Sequence, residues 1–311
     1  MDKSIHLYLE TILYNYYMEI KEYIHNKRPT LGKSSLTTYA SILKSLYKKV
    51  FGDGKLEWDN FKESEKILHF LKDLEPHKRK TILSALVVIT DLKEYKELMM
   101  KDVSAYNKDL ATQQPTDEQK SNWVKPEQIK DIFTDLKTKA DMLFKKKTPH
   151  TPAELQQIQN YIIVALLSGI FVPPRRSKDF CDFKIKNIQE NKDNYLHKSE
   201  MIFNSYKTMK TYGTQRVAIP TALKSILTKW LKINPTEYLL FDQNMNHLSP
   251  VKLNQRINKI FGGKISVNML RHSYLTDKYG EHNKVDKEMA KDAEEMGTSK
   301  GMVLGSYVKN V

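Results

Sequence analysis

The most constraining feature of this sequence is a run of twelve apolar or small residues, Tyr161 to Val172, without a charged side chain. The run is too short to cross a bilayer, which needs about 20 residues. Since the segment 154–170 is apolar almost all round, we expect a helix that is buried at the centre of a domain. Pro173 and Pro174 follow the run and predict the end of that helix.

Apolar residues recur with helical spacing through the first hundred positions, which predicts a small all-helical domain. Its first helix is expected over residues 9–24, with its end at Arg28-Pro29. Ser34 and Ser35 precede the next apolar face and predict an N-cap there. The remaining helices of this part are expected at residues 36–50, 62–72 and 77–99.

Helical periodicity is lost over residues 103–124, and the polar stretch that follows Gln113-Gln114-Pro115 is typical of a linker. The sequence therefore predicts a helical domain at residues 1–112, a linker at 113–124 and a second domain at 125–311. In the second domain Pro126 predicts the first position of a helix.

Two β-like runs, residues 201–206 and 215–219, flank a glycine-containing turn and predict a hairpin. Helical patterns then fill the rest of the chain. They are expected at residues 221–233, 250–261 (with Ser249 as cap and Pro250 at the first position), 266–280 and 284–296, with a last short helix that ends at Val311. The fold class is therefore mainly α with a small β-hairpin or sheet, in an all-helical domain followed by a mixed α+β domain.

The net charge indicates a polyanionic partner, of which nucleic acid is the first candidate. The chain has 51 basic and 37 acidic residues, a formal charge of +14. Residues 1–120 hold 20 basic and 18 acidic side chains, whereas residues 121–311 hold 31 and 19, a net charge of +12. The alternative interpretation is a solvated lysine-rich surface.

Cysteine usage and the N-terminus narrow the class of protein further. Cys181 is the only cysteine, which excludes a disulfide framework and a four-cysteine zinc site. The N-terminal residues carry acidic side chains and no cleavage-site pattern, so no secretory signal is expected. We therefore expect an intracellular protein with no membrane partner.

Groups that suit a phosphate follow one another through the second half of the chain. Two arginines come directly after the buried helix. Two lysines follow, one at the end of the first β-like run and one in its turn, and a third arginine opens a predicted helix. In chain order they are Arg175-Arg176 with Asp179, Lys207, Lys210, Arg271 within Asn268 to His272, and Tyr307, which lies nine residues after Thr298.

This order resembles the tyrosine recombinase family of the phage-integrase type, over residues 125–311. The family's first arginine has an acid three residues later and an aliphatic residue seven later, positions that are Arg176, Asp179 and Phe183 here. Its second arginine lies in a His-x-x-Arg-His pattern, which the segment around Arg271 is similar to. Eleven residues separate the leucine of a Leu-Gly-His block from the tyrosine, as they separate Met296 from Tyr307.

The resemblance implies a set of site residues. The implied catalytic residues are Arg176, Lys207, Arg271 and Tyr307, with Asp179 as an orienting acid. Lys210, Asn268, Thr298 and His272 are implied as further catalytic or phosphate-contacting residues. Asn268 and Thr298 stand where the family has histidine or tryptophan, and both can donate a hydrogen bond but cannot take a proton at neutral pH.

The resemblance also implies a function. It implies a metal-independent, cofactor-free enzyme that cleaves and rejoins double-stranded DNA through a 3′-phosphotyrosyl intermediate, for site-specific recombination or integration. The helical domain is implied to be the core-binding domain of a DNA clamp, and the working assembly a homotetramer on synapsed DNA. The alternatives are a type IB topoisomerase, which uses the same nucleophile, and a DNA-binding protein whose site has decayed.

Several residue assignments stay open at this stage. Arg175 is expected to face away from the site, and His272 to pack beneath it. Asn268 could donate to phosphate or cap its helix. The general acid could be Lys207 or Lys210, and the tyrosines that compete with Tyr307 are Tyr212 and Tyr274.

Overall fold

A computed structural model describes residues 17–308 of the chain. The chain divides into two compact units, Met1–Gln114 and Pro115–Val311. The fold class predicted from the sequence is confirmed, because the described residues are mainly helical and form a single four-stranded sheet. None of the helices in this described part is long and apolar enough to cross a membrane.

The first unit is all-helical. Its predicted first helix lies outside the described residues as far as Tyr16, and residues 17–27 are helical. We label the elements in chain order: α1 (residues 17–27), α2 (Lys33–Phe51), a 3-10 turn (Trp58–Lys62), α3 (Ser64–Leu71), α4 (Pro76–Thr90) and α5 (Lys93–Ala111). Helix α2 begins one residue before Ser34 with Gly32 at its N-cap, so the predicted serine cap was wrong.

The helix predicted over residues 77–99 is divided in two at Asp91. Asp91 adopts a left-handed conformation with φ 54°, and its N–H donates to the carbonyl of Val87. The hydroxyl of Thr90 accepts a hydrogen bond from the N–H of Leu92 at 3.3 Å. This local polar turn ends α4 without a glycine or proline, which is why the end of the helix was not predicted.

Helix α5 continues to Ala111, so the loss of periodicity from residue 103 did not mark its end. Within α5 only Tyr95 and Asp102 are buried, and the other faces are exposed or half-exposed. The Asp102 carboxylate receives two hydrogen bonds from Arg79 of α4, at 2.8 and 2.7 Å, which join the two helices. A helix that buries so little apolar surface has a weak sequence pattern.

The second unit contains the remaining elements. The expected linker at 113–124 includes a short helix, whose capping box pairs Thr116 with Gln119. The elements are α6 (Asp117–Ser121), α7 (Pro126–Phe144), α8 (Pro152–Leu167), α9 (Ser177–Cys181), β1 (Phe183–Lys184), β2 (Asn194–His197), β3 (Glu200–Phe203), α10 (Met209–Tyr212), β4 (Gln215–Ala218), α11 (Thr221–Ile233), α12 (Pro250–Phe261), α13 (Val267–Glu295), α14 (Lys300–Met302) and a π-helical turn (Val303–Tyr307).

Helix α8 lies at the centre of this unit, where every residue from Tyr161 to Leu167 is buried. The sheet has the order β1-β2-β3-β4, with β1 and β2 parallel and the other neighbours antiparallel. The β3–β4 pair is the predicted hairpin, and Met201 lies opposite Val217 in its register. Strands β1 and β2 were not predicted, because elements of two and four residues depend on their pairing partners more than on local pattern.

The two helices predicted at 266–280 and 284–296 form one helix, α13, of 29 residues. Gly280 lies in its interior, where a glycine costs only about 1 kcal/mol relative to alanine. Helix α13 ends at Glu295, and Gly297, two residues later, has φ 67°. The N–H groups of Gly297 and Thr298 donate to the carbonyls of Glu294 and Ala293, the pattern of a Schellman helix end.

Candidate active site

A cleft of about 520 Å³ in the second unit brings three arginines together. Arg175 and Arg176 reach it from the loop between α8 and α9, and Arg271 reaches it from the first turns of α13. Asp179 of α9 supplies a carboxylate to the same cleft. Side chains that also line it include Tyr206, Thr208, Tyr212 and Gln215.

Arg175 is held in the wall of the cleft, so the expectation that it faces away from the site was wrong. Its Nε donates to Asp179 Oδ2 at 3.0 Å, and its Nη1 donates to the side-chain oxygen of Gln215 at 2.7 Å. The guanidinium also lies 3.9 Å from the ring centroid of Phe203. The spacing of Arg175 and Asp179, four residues apart, is the signal that could have indicated their ion pair.

Arg176 makes no side-chain hydrogen bond or ion pair with any residue between 17 and 308. Its neighbour Arg175 takes the carboxylate of Asp179, the acid that the family pattern pairs with Arg176. Arg176 is half-buried at the N-cap of α9. Its planar fork of N–H donors is therefore available to an anion in the cleft.

Arg271 is anchored at the cleft by the protein backbone. Its Nε donates to the carbonyl of Pro174 at 3.2 Å, and its Nη1 donates to Asn268 Oδ1 at 3.3 Å. Asn268 is exposed and is not the helix cap, since Ser266 accepts the hydrogen bond from the N–H of Met269. This removes the cap alternative for Asn268 and leaves an exposed amide group, whose N–H groups can donate to a phosphate.

The expectation that His272 packs beneath the site was wrong. Its side chain is exposed and lines a separate groove along α13, together with Leu275 and Tyr279. The buried neighbour is Ser273, whose hydroxyl accepts a hydrogen bond from the N–H of Val124 at 3.4 Å. A helix turns by about 100° per residue, so adjacent positions face different surroundings.

Positive charge exceeds negative charge in the cleft, where three guanidinium groups face one carboxylate. Burial, with the charges of Arg176 and Arg175 in addition, lowers the pKa of Arg271 below its ordinary value. Burial raises the pKa of Asp179, and the neighbouring arginines oppose that rise. An anion bound between the arginines would relieve their mutual repulsion, so the cleft suits a phosphate.

The two candidate lysines lie on the loop 204–214 that joins β3 to β4. Lys207 and Lys210 are both exposed, and neither lines the arginine cleft. Tyr206, Thr208 and Tyr212 of the same loop do line it. The loop thus borders the cleft, with both lysines at its solvent side.

Tyr307 and Thr298 belong to the C-terminal part of the chain. Tyr307 lies in the π-helical turn with 60% of its surface exposed, and it does not line the cleft. Lys300, in the short helix before it, forms an ion pair with Asp286, which lies fifteen residues after Arg271 on α13. The structure therefore does not bring Tyr307 together with the arginines.

The competing tyrosines lie in different surroundings. Tyr212 is 66% exposed at the edge of the cleft. Tyr274 packs over Gly169, where a Cβ would lie 2.3 Å from its ring. Tyr212 is therefore nearer to the arginines than the sequence indicated, whereas Tyr274 has a packing role.

Neither a protein-family model nor a curated protein matches the chain. Among solved structures the chain is similar to XerA recombinase, with 12% identity and a TM-score of 0.35 over 85% of this chain and 83% of that one. It is also similar to a lambda integrase dimer bound to a COC′ core site, with 14% identity and a TM-score of 0.43 over 91% of this chain and 77% of that one. A third similar structure is a lambda integrase tetramer bound to a Holliday junction, with 13% identity and a TM-score of 0.39 over 86% of this chain and 70% of that one. At such identities the likeness concerns the fold alone, so a function has to be argued from the residues of this chain.

Proposed function

We propose that the protein is a site-specific DNA recombinase that cleaves and rejoins DNA through a 3′-phosphotyrosyl intermediate. The observation that carries the proposal is the convergence of Arg176 and Arg271. They are 95 positions apart in the sequence and line one cleft. Among residues 17–308 the side chain of Arg176 has no hydrogen-bond or ion-pair partner, and the cleft holds an excess of positive charge. Two such forks can clamp the non-bridging oxygens of a phosphodiester.

The nucleophile in this proposal is Tyr307. Its phenolic oxygen forms a bond to the scissile phosphorus as the bond from phosphorus to the 5′-oxygen breaks. The phenol loses its proton to solvent, and the leaving 5′-oxygen gains one from a lysine. Attack by a 5′-hydroxyl on the phosphotyrosyl bond reverses these steps and rejoins the DNA, so that no nucleotide or metal is needed.

The arginines act where charge develops. Negative charge grows on the non-bridging oxygens in the transition state, and donors already aimed at those oxygens lower the barrier. Tyrosine has a pKa near 10 in water, and a cationic surrounding makes loss of its proton easier. Because Tyr307 lies outside the cleft, the segment after Gly297 has to move for attack. We place the pivot at Gly297, the glycine that follows the end of α13.

The general acid in this proposal is Lys207, with Lys210 as the alternative. Both lie on the loop that borders the cleft, and both are exposed. An exposed ammonium group on a loop can approach the leaving oxygen once DNA is bound. The orienting acid, Asp179, would act through Arg175, which it holds in the cleft wall.

Duplex DNA is the proposed substrate, and a homotetramer on synapsed DNA the proposed assembly. The charge distribution supports the substrate, because residues 121–311 carry a net charge of +12. Phosphate contacts would supply most of the affinity, so DNA binding should weaken steeply as salt is raised.

A suicide DNA substrate tests the proposal. In such a substrate the short fragment that carries the newly freed 5′-hydroxyl diffuses away, so the covalent intermediate accumulates and is seen on a denaturing gel. The proposal expects a protein–DNA adduct without added metal. If no adduct forms on any cognate or generic duplex, the proposal fails and the alternative of a non-enzymatic DNA-binding protein remains. Plasmid relaxation without strand exchange would indicate a topoisomerase instead.

Alanine variants of the two arginines sharpen this test. Arg176→Ala and Arg271→Ala should each slow adduct formation by about 10² to 10³, the usual effect of losing one donor to transition-state charge. Arg216→Ala is the matched control, since Arg216 is an exposed arginine of β4 that pairs with Glu200. It should form adduct at the wild-type rate.

A further inference from the structure

The loop 204–214 is fixed at its first end by a buried asparagine. Asn194 of β2 is fully buried, and its side chain makes four hydrogen bonds. Its amide nitrogen donates to the carbonyls of Asp179 and Ser205, at 2.9 and 2.8 Å. Its amide oxygen accepts from the N–H groups of Asn204 and Ser205, at 2.9 and 2.7 Å. The side chain thereby joins helix α9, which carries Asp179, to the start of the loop.

A second asparagine joins the two ends of the loop. The side-chain nitrogen of Asn204 donates to the carbonyls of Glu190 and Asp193, at 2.6 and 3.0 Å. Its side-chain oxygen accepts a hydrogen bond from the hydroxyl of Thr214 at 2.7 Å. Thr214 is the last residue of the loop, so this bond closes the loop across its base.

The same ring of contacts returns to the arginine cleft. Gln215 follows Thr214 and accepts the hydrogen bond from Arg175, which is itself paired with Asp179. Within the loop the hydroxyl of Tyr206 donates to the carbonyl of Gly213 at 2.5 Å. The base of the loop is therefore tied to the cleft on both sides, whereas Lys207 and Lys210 at its solvent side are exposed.

We propose that Asn194, Asn204 and Thr214 are positioning residues that set the place of the loop lysine that acts as general acid. This inference rests on the proposed function. A proton donor has to lie within about 3 Å of the leaving oxygen, and small displacements from that geometry slow a reaction strongly. A long lysine side chain cannot hold such a position alone. The backbone that carries it must be placed relative to the arginines that hold the phosphate.

Thr214→Val is the informative variant. It removes only the hydroxyl that reaches Asn204, at an exposed position, and valine has nearly the shape of threonine. Asn194→Ala is less useful, because it would leave four backbone groups at a buried position without partners and the unit could fail to fold. Losing the Thr214 bond should slow cleavage of an ordinary phosphodiester by about 3- to 10-fold, as a single hydrogen bond allows. Thr214→Ser keeps the hydroxyl and should restore the rate.

The readout that separates positioning from a general structural effect is a substrate with a 5′-bridging phosphorothiolate. Its sulfur leaves without a proton, so a variant that is defective only in delivering the acid should cleave it at the wild-type rate. Arg176→Ala should stay slow on this substrate. Thr228→Val is the matched control, since the Thr228 hydroxyl donates to the carbonyl of Lys224 within α11. It should be unaffected on both substrates.

The outcomes are distinct. A slow Thr214→Val protein that recovers on the phosphorothiolate, together with restoration by serine, supports the inference. A defect that persists on the phosphorothiolate, or no defect on the ordinary substrate, overturns it. If the wild-type protein forms no covalent adduct at all, the proposed function fails. If the wild-type protein is active and Thr214→Val is unaffected, only the inference about the loop is overturned.

Discussion

Replacing Gly169 by alanine should destabilise the second unit by an amount that the structure allows to be estimated. Gly169 has φ +90°, which an L-residue rarely adopts, and an alanine Cβ would lie 2.3 Å from Cδ2 of Tyr274. The backbone conformation costs about 1–2 kcal/mol. Forcing a methyl group into a packed contact costs about 1–3 kcal/mol more. We therefore expect Gly169→Ala to lower the free energy of unfolding by about 2–5 kcal/mol.

Gly262→Ala is the control that separates the two costs. Gly262 ends α12 with φ +70°, and a Cβ there would meet nothing within 4 Å. It should lower the free energy of unfolding by about 1–2 kcal/mol, the backbone cost alone. In a Tyr274→Ala background the cost of Gly169→Ala should fall to the same value, because the ring that the methyl group would strike is gone.

Urea denaturation followed by tryptophan fluorescence measures these differences. In a Trp58→Phe background the two remaining tryptophans, Trp123 and Trp230, both belong to the second unit. The signal then reports that unit. Equal destabilisation by Gly169→Ala and Gly262→Ala, or no coupling between Gly169 and Tyr274, would refute the close contact and the reasoning built on it.

Three further outcomes are expected. The isolated segment 121–311 should bind duplex DNA with a steeper salt dependence than segment 1–112, because the charge excess lies there; a steeper slope for 1–112 would contradict the charge argument. Lys207→Ala should slow cleavage of a normal phosphodiester and recover on a 5′-bridging phosphorothiolate; the same pattern in Lys210→Ala instead would reassign the acid. Asp102→Ala should lower the free energy of unfolding of the first unit by about 3–5 kcal/mol in thermal or urea melts, since it leaves the mostly buried Arg79 without its charge partner. A loss below about 1 kcal/mol would mean that this ion pair contributes no more than an ordinary surface pair.

Elements with a strong local signal were predicted at their observed bounds. Helix α12 begins at Pro250 with Ser249 as its N-cap, as expected, because an N-cap serine and a proline at the first position act within one turn. Helix α11 likewise matches its predicted range of 221–233. The errors occurred at Asp91, where a local turn ends a helix without a glycine or proline, and in α13, where the helix continues through Gly280.

Some residues of the candidate site could be predicted from the sequence, and others could not. The sequence order indicated Arg176 and Arg271, because arginines with a fixed motif context can be recognised one at a time. The role of Arg175 in the cleft wall and the hydrogen bonds of Asn194 depend on partners far away in the sequence, such as Gln215 and Ser205. No local pattern predicts such pairs. The place of Tyr307 also could not be predicted, since it follows from the length of α13.

Tyr307→Phe combined with mapping of the adduct tests the central claim most directly. The change removes one oxygen and keeps the ring, so gel-shift affinity for DNA should stay within a few fold of wild type. Covalent adduct should vanish completely, whereas Arg176→Ala should still accumulate traces over long incubations. In the wild-type protein, peptide mass mapping should place the adduct on the C-terminal peptide after Lys300. Full activity of Tyr307→Phe, or an adduct on Tyr212 at the edge of the arginine cleft, would contradict the account.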